Sequence, residues 1–182
     1  GAVCVLKPDF LIVTGEIARL ESRDAVFASR DLMDSLGFPY YPMGGSSDFC
    51  YEQSRQWFTE AFGAHLPESR TWYSFTQGEI HICVLDAWWL WDDGTVMPFS
   101  QRGNSTPRWI VPPDQLEWLD GDLAEHDEEA TIIAMHPPLI LPQMKLARDS
   151  ALQRGALENA GLLLDRLKAH AQVKLLLSGS AH

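Results

Sequence analysis

Cysteine is scarce in this chain of 182 residues: Cys4, Cys50 and Cys83 are odd in number, widely separated and without a C-x-x-C spacing. That excludes a disulfide framework and a zinc knuckle. It reads instead as buried or reduced thiols in a reducing compartment, so the expected location is the cytoplasm. Basic residues are also few. Lys and Arg total 14 against 25 Asp and Glu, a formal charge of −11. Phosphate neutralisation needs clustered cations, so this balance argues against a binder of duplex nucleic acid or of an anionic membrane surface. No apolar run is long enough to cross a bilayer, and no secretory leader pattern is visible. Internal repeats and low-complexity tracts are lacking as well.

What is present is an alternation of short apolar runs and amphipathic stretches. Phe10 to Thr14 is β-branched and closed by Gly15, the pattern of a buried parallel strand. Asp24 is placed to cap a helix whose apolar face holds Phe27, Leu32 and Leu36, ended by Gly37. Tyr40 to Met43 is a second strand, and Trp57, Phe58, Ala61 and Phe62 mark a helix stopped near Gly63. Thr71 to Phe75 and Ile80 to Leu85 read as a hairpin turned at Gln77-Gly78. A long loop rich in Trp, Gly and Pro is expected from Trp88 to Pro113. Pro113 opens a helix with Leu116, Leu119 and Leu123 at helical spacing. Ala130 to Met135 is a strand, Leu157 to His170 a helix, and Val173 to Leu177 a last strand. The order predicts a layered α/β fold with a central, largely parallel sheet flanked by helices. Ala2 to Pro8 reads as a helix tail, and the chain closes just after a strand. The expectation is therefore one domain over 1–182, incomplete at both termini.

Four strands end in loops with chemistry in them: "TGEIAR", "PMGGSSD", "MHPP" and "SGSAH". Ligands of open α/β sheets gather beyond the carboxyl ends of the strands, so these loops are candidates to converge. The blocks "LKPDFLIVTGEIAR", "FPYYPMGGSSDF", "YSFTQGEIHICVLD", "DQLEWLDGDLAEH", "TIIAMHPPL" and "VKLLLSGSAH" resemble the calcineurin-like metallophosphoesterase superfamily, its cyclic-nucleotide-phosphodiesterase-like branch in particular. They cover almost the whole chain in family order. The resemblance implies a metallo-dependent phosphatase-like fold and a phosphoester hydrolase. Its five motifs (D-x-H, G-D-x-x-D, G-N-H-[DE], a single His and G-H-x-H) hold two cations about 3.5–4 Å apart that clamp phosphoryl oxygens and activate water.

Transferred position by position, the resemblance breaks at the ligands. D-x-H would fall before Gly1. Glu16 stands where the bridging Asp is expected, and Arg19 where the later acid is. Ser46 replaces the metal-binding Asn, and Ser47 the catalytic His. Asp48 is kept as a supporting carboxylate, and the single His is His136. In the last motif Ser180 replaces the first His, while His182 remains. The resemblance thus implies Glu16 as bridge, with His136 on one cation and His182 on the other. The cations would be of the Mn, Fe, Zn or Mg kind, and no bound metal is the alternative, because each position keeps about two protein ligands where three or four are usual. Glu16 also carries an extra methylene, displacing its carboxylate by ~1.5 Å.

The expected function is a metallophosphoesterase-like protein with weak or absent hydrolysis and a phosphoester small molecule as partner. The alternative is a non-catalytic binding module with a Trp-rich pocket, or a structural fragment whose sheet edges pair between copies. Trp88, Trp89 and Trp91 read first as a satellite hydrophobic cluster and second as the wall of a cleft. Plainer roles stand beside these. Ser46 and Ser47 lack a G-x-S-x-G elbow and serve as turn formers. Asp48 is placed to cap the following helix, and His81 is structural. His65, His126 and His170 lie on the surface.

Overall fold

A computed structural model describes residues 8–18, 22–92, 95–98, 109–139 and 157–179. Among them are nine strands and four α-helices. In chain order these are β1 (Leu11–Val13), α1 (Arg23–Asp34), β2 (Tyr40–Pro42), α2 (Ser54–Phe62), β3 (Tyr73–Gln77), β4 (Ile80–Leu85), β5 (Trp89–Asp92), β6 (Thr95–Pro98), β7 (Trp109–Ile110), α3 (Pro113–Glu125), β8 (Ala130–Met135), α4 (Ala160–Lys168) and β9 (Val173–Ser178). The fold is mixed α/β. Its largest sheet has the order β3-β4-β8-β9, antiparallel at β3–β4 and parallel across β4, β8 and β9. β1 and β2 form a parallel pair, and β6-β5-β7 an antiparallel sheet. No helix among the described residues is long and apolar enough to cross a membrane.

The alternation of side chains along a strand assigns the layers. Tyr73 and Phe75 share one face of the large sheet, opposite Val84 and Ile82. The Tyr73 hydroxyl donates to the Pro42 carbonyl, and the Phe75 ring stacks on Tyr41, so the β1–β2 pair packs on this face. Ser74, His81 and Cys83 point the other way and meet Asp122 of α3. Covered on both sides, β4 is buried along nearly its whole length, which is why it reads as an apolar run broken only by His81.

Two expectations are corrected. The stretch from Trp88 to Pro113 is not a structureless loop, because β5, β6 and β7 lie within it. Asp92 pairs with Thr95 across Asp93-Gly94, a dipeptide that is itself a strong hairpin signal. In α1, Ser22 rather than Asp24 takes the cap position, and Leu32 is exposed. Val26 is buried and Met33 packs against the core. Seven residues apart, they share a face, whereas Leu32 lies about 120° around the helix from Val26.

Asp86, at the end of β4, is the most heavily bonded carboxylate among the described residues. It accepts from Thr71 Oγ1, the Trp88 amide, Trp89 Nε1 and both terminal nitrogens of Arg55. The Arg55 guanidinium is in turn held against the Phe49 and Trp89 rings. The Gln115 side chain joins α3 to the same corner by bonding both the amide and the carbonyl of Asp86. With the Asp86 side chain 1% exposed, Asp86→Ala strands a cation in a nearly closed corner. The expected loss is about 3–5 kcal/mol, read from the urea midpoint at unchanged slope.

Candidate functional site

The loops that follow β1, β2 and β8 meet beside Gly179 at the end of β9, and glycine makes the approach possible. Gly15 has φ +95°, and a Cβ there would lie 2.2 Å from His136 Nδ1. At Gly45 it would lie 2.5 Å from the Glu16 amide, and at Gly179 2.1 Å from the Thr14 carbonyl oxygen. Real Cβ atoms do not sit so close, so three glycines from three loops set how near the strand ends come. Glu16 itself has φ +56°. For a residue with a Cβ this costs about 1–2 kcal/mol, and such positions persist only where the surroundings over-determine them.

Those surroundings are hydrogen bonds. Ser46 Oγ donates to Glu16 Oε1 at 2.8 Å, the Ser47 amide to Oε1 at 3.3 Å, and Ser47 Oγ to Oε2. Burial alone would raise the Glu16 carboxyl. The Ser47 and Ser46 bonds and the nearby His136 ring outweigh it and hold the group below its ordinary value of 4.5. Asp48 is placed differently. It is buried and accepts the Ala18 amide at 2.7 Å, the Gly45 amide at 2.7 Å and the Ile17 amide at 3.2 Å. It therefore staples the β1 loop to the β2 loop and does not cap α2. Burial, with the Glu16 charge beside it, pushes its carboxyl up against the pull of those three amides.

His136 ends β8 and is 3% exposed. Its Nδ1 lies 2.6 Å from the Thr14 carbonyl oxygen, and its Nε2 3.3 Å from Glu16 Oε1. A carbonyl only accepts, so Nδ1 carries the proton. In the neutral ring Nε2 is then a lone pair facing a carboxylate oxygen, and two acceptors at that separation need a proton or a cation between them. Fixing one ring nitrogen on a backbone carbonyl is also how proteins orient a metal-binding imidazole. The Trp88 ring, 5.4 Å away, closes one side. The donor set of Glu16, His136 Nε2 and the two serine hydroxyls suits one divalent cation. It does not complete a pair.

Of the residues singled out in the sequence, Glu16, Ser46, Ser47, Asp48 and His136 are brought together. Arg19, Ser180 and His182 lie outside the described residues. Two other groups have the chemistry to hold a metal ion: His81 with Cys83 and Asp122, and His81 with His126 and Glu129. Sequence reasoning passed over both. His81 and Cys83 sit two apart on one strand face, a legible signal, but Asp122 comes from a helix some forty residues on. His126 is half-buried and stacks on the His81 ring at 3.8 Å, and so is not a plain surface residue.

No family model matches the chain. It is 27% identical over 176 residues, 97% of its length, to a probable cyclic nucleotide phosphodiesterase of a Synechococcus strain. It spans 58% of that protein's length. The likeness is distant and spans nearly the whole chain.

A depressed carboxyl contributes stability above its unfolded value and loses it as pH falls through the folded one. The contact of Glu16 with the β2 loop is therefore expected to hold above pH 4.5 and to open below it. The fluorescence of Trp88 beside His136 should report this step in the parent chain and miss it in Glu16→Gln. Gly45→Ala, which drives a methyl into Glu16 and His136, is expected to cost about 1–3 kcal/mol in thermal or urea unfolding.

Proposed function

We propose that this chain is a metallophosphoesterase-like protein on a metallo-dependent phosphatase-like fold, derived from a metal-dependent phosphodiester hydrolase and left with weak or absent turnover. The observation that carries the reading is the His136 ring. Its Nδ1 is tied to Thr14, and its Nε2 is turned toward the Glu16 carboxylate at the ends of β8 and β1, strands of different sheets. The resemblance of the whole chain to a probable cyclic nucleotide phosphodiesterase supports the same class and makes a cyclic phosphodiester the first substrate to try.

A divalent cation held by Glu16 and His136 would supply Lewis acidity to a phosphoryl oxygen. The chain's own residues do the rest. Thr14 sets the imidazole tautomer, Asp48 holds the two loops in register, and Ser46 and Ser47 orient the carboxylate. Where the resemblance places an imidazole to serve the leaving oxygen, Ser47 offers a hydroxyl already donated to Glu16. A hydroxyl of ordinary acidity is a poor proton donor near neutral pH, so general-acid assistance worth about 10²–10⁴-fold is missing.

A second reading, a non-catalytic binding module, is favoured by a groove of about 460 Å³ whose walls include Pro39, Tyr40, Tyr41, His65, Tyr73 and Phe75. Its aromatic wall is Tyr and Phe rather than the Trp cluster expected. Trp88 is buried, and Trp91 lines a separate cavity against Leu116 and Leu162.

Purified protein with added Mn²⁺ is expected to turn over bis-p-nitrophenyl phosphate and 3′,5′-cyclic AMP no faster than His136→Ala. Vigorous hydrolysis abolished by a chelator would overturn the claim of impairment. A cyclic nucleotide that raises Tm without metal would move the assignment to the binding module.

A further inference from the structure

We propose that His81, Cys83 and Asp122 form a second metal site, independent of the strand ends, that takes a thiophilic divalent cation of the zinc class and clips α3 to β4. His81 and Cys83 lie on one face of β4, and Asp122 faces them from the third turn of α3. His81 Nε2 is 2.7 Å from Asp122 Oδ2, and Cys83 Sγ is 3.1 Å from the same oxygen. The three donor atoms all lie within 4.8 Å of one another. Metal–ligand bonds of about 2.0–2.3 Å in a tetrahedron require donor separations a little over 3 Å. An ion would thus need the group to open by less than about 1 Å. Imidazole, thiolate and carboxylate together suit zinc, with water in the fourth position, better than the oxygen-seeking Mg²⁺ or Ca²⁺.

The outer partners of each ligand are already in place. Ser74 Oγ donates to Asp122 Oδ1 at 2.6 Å and fixes the carboxylate with its other oxygen toward the thiol. His81 Nδ1 is 3.0 Å from Thr76 Oγ1, which lies 3.0 Å from Glu129 Oε2. A threonine hydroxyl has one proton. When it goes to Glu129, Nδ1 must donate to Thr76, and Nε2 then faces the Asp122 carboxylate with a lone pair. Only a second ring proton or a cation satisfies that contact. This is the carboxylate-to-ligand relay through which proteins orient metal-bound imidazoles. The exchange balances simply: the ion enters, Cys83 gives its thiol proton to solvent, and any second proton on His81 leaves with it. Beside the group lie His126 and Glu129, each about a third exposed and grouped with the same His81. The competing occupant is protons alone, a closed hydrogen-bond network that needs no ion.

Cobalt(II) separates the two. Reduced, chelator-stripped protein titrated with Co²⁺ is expected to develop a near-ultraviolet thiolate-to-cobalt charge-transfer band and the visible bands of a tetrahedral ion. They should saturate at one equivalent and be displaced by Zn²⁺. Cys83→Ser should lose the charge-transfer band, Cys50→Ser should keep it, and Glu16→Gln with His136→Ala should leave it intact. That last arm makes the outcome independent of the strand-end site. Absence of the band in the parent chain would overturn the proposal even if Cys83→Ser fails to fold. So would its survival in Cys83→Ser.

Discussion

The junction that the strand-end architecture rests on is the carbonyl of Thr14. It closes β1, receives the His136 ring proton from the end of β8, and sits where a side chain at position 179 would have to be. The Gly179 amide in turn donates to the His136 carbonyl at 3.0 Å. β1 and β2 belong to one sheet and β8 and β9 to another, and no ladder joins the two among the described residues. Their ends are brought together instead by the His136 imidazole and by close approaches at three glycines, while the Asp48 carboxylate ties the β1 loop to the β2 loop within one sheet. That economy explains why the surrounding sequence is so particular: the spacing of the loops is fixed by atoms that are absent, the Cβ atoms of residues 15, 45 and 179.

Within that frame the residues at the strand ends acquire a physical account. An Asp at position 16 would hold its carboxylate nearer the backbone. Glu16 reaches one methylene farther and ends between Ser46 and Ser47, whose hydroxyls and one amide satisfy both oxygens. The carboxylate thus finds in hydrogen bonds much of what a cation would have given it. The serines are small enough to leave the arm room and polar enough to receive it. A cluster bonded this way keeps its shape through hydrogen bonds alone. It also accounts for the left-handed backbone of Glu16, since the contacts that over-determine that strained residue are made by its own side chain.

Much of this was legible in the sequence, and the boundary is instructive. Apolar runs closed by Gly or by His-Pro-Pro located the strands, and the rule that ligands gather at carboxyl ends brought Glu16, Ser46, Ser47, Asp48 and His136 into one neighbourhood. Three things were not legible. The role of Asp48 depends on amides from two loops, which leave no mark on side-chain identity. The strands inside the Trp-rich stretch were hidden because they are only two to four residues long and largely apolar on both faces, so period 2 is blurred, although the dipeptide Asp93-Gly94 is a hairpin signal in the sequence. The exposure of Leu32 came from reading hydrophobicity without helical phase. The Asp122 network escaped because its members come from β3, β4 and α3, and no spacing rule links a strand pair to a helix that distant in sequence.

The two histidine environments differ in what they offer an ion. Each ring has Nδ1 engaged by an oxygen and Nε2 aimed at a carboxylate. At His136 the carboxylate is partly solvated, its charge is already met by two hydroxyls, and the imidazole–carboxylate separation is 3.3 Å. At His81 the ring and the thiol are buried, and the separation is 2.7 Å. Low polarity strengthens whatever positive charge lies between such partners and punishes its absence. The buried group therefore has the greater need of a cation, and it adds a sulfur donor that the strand ends lack. The family resemblance directs attention to the strand ends as a place for metal, whereas the donor atoms among the described residues favour the interface of β4 and α3.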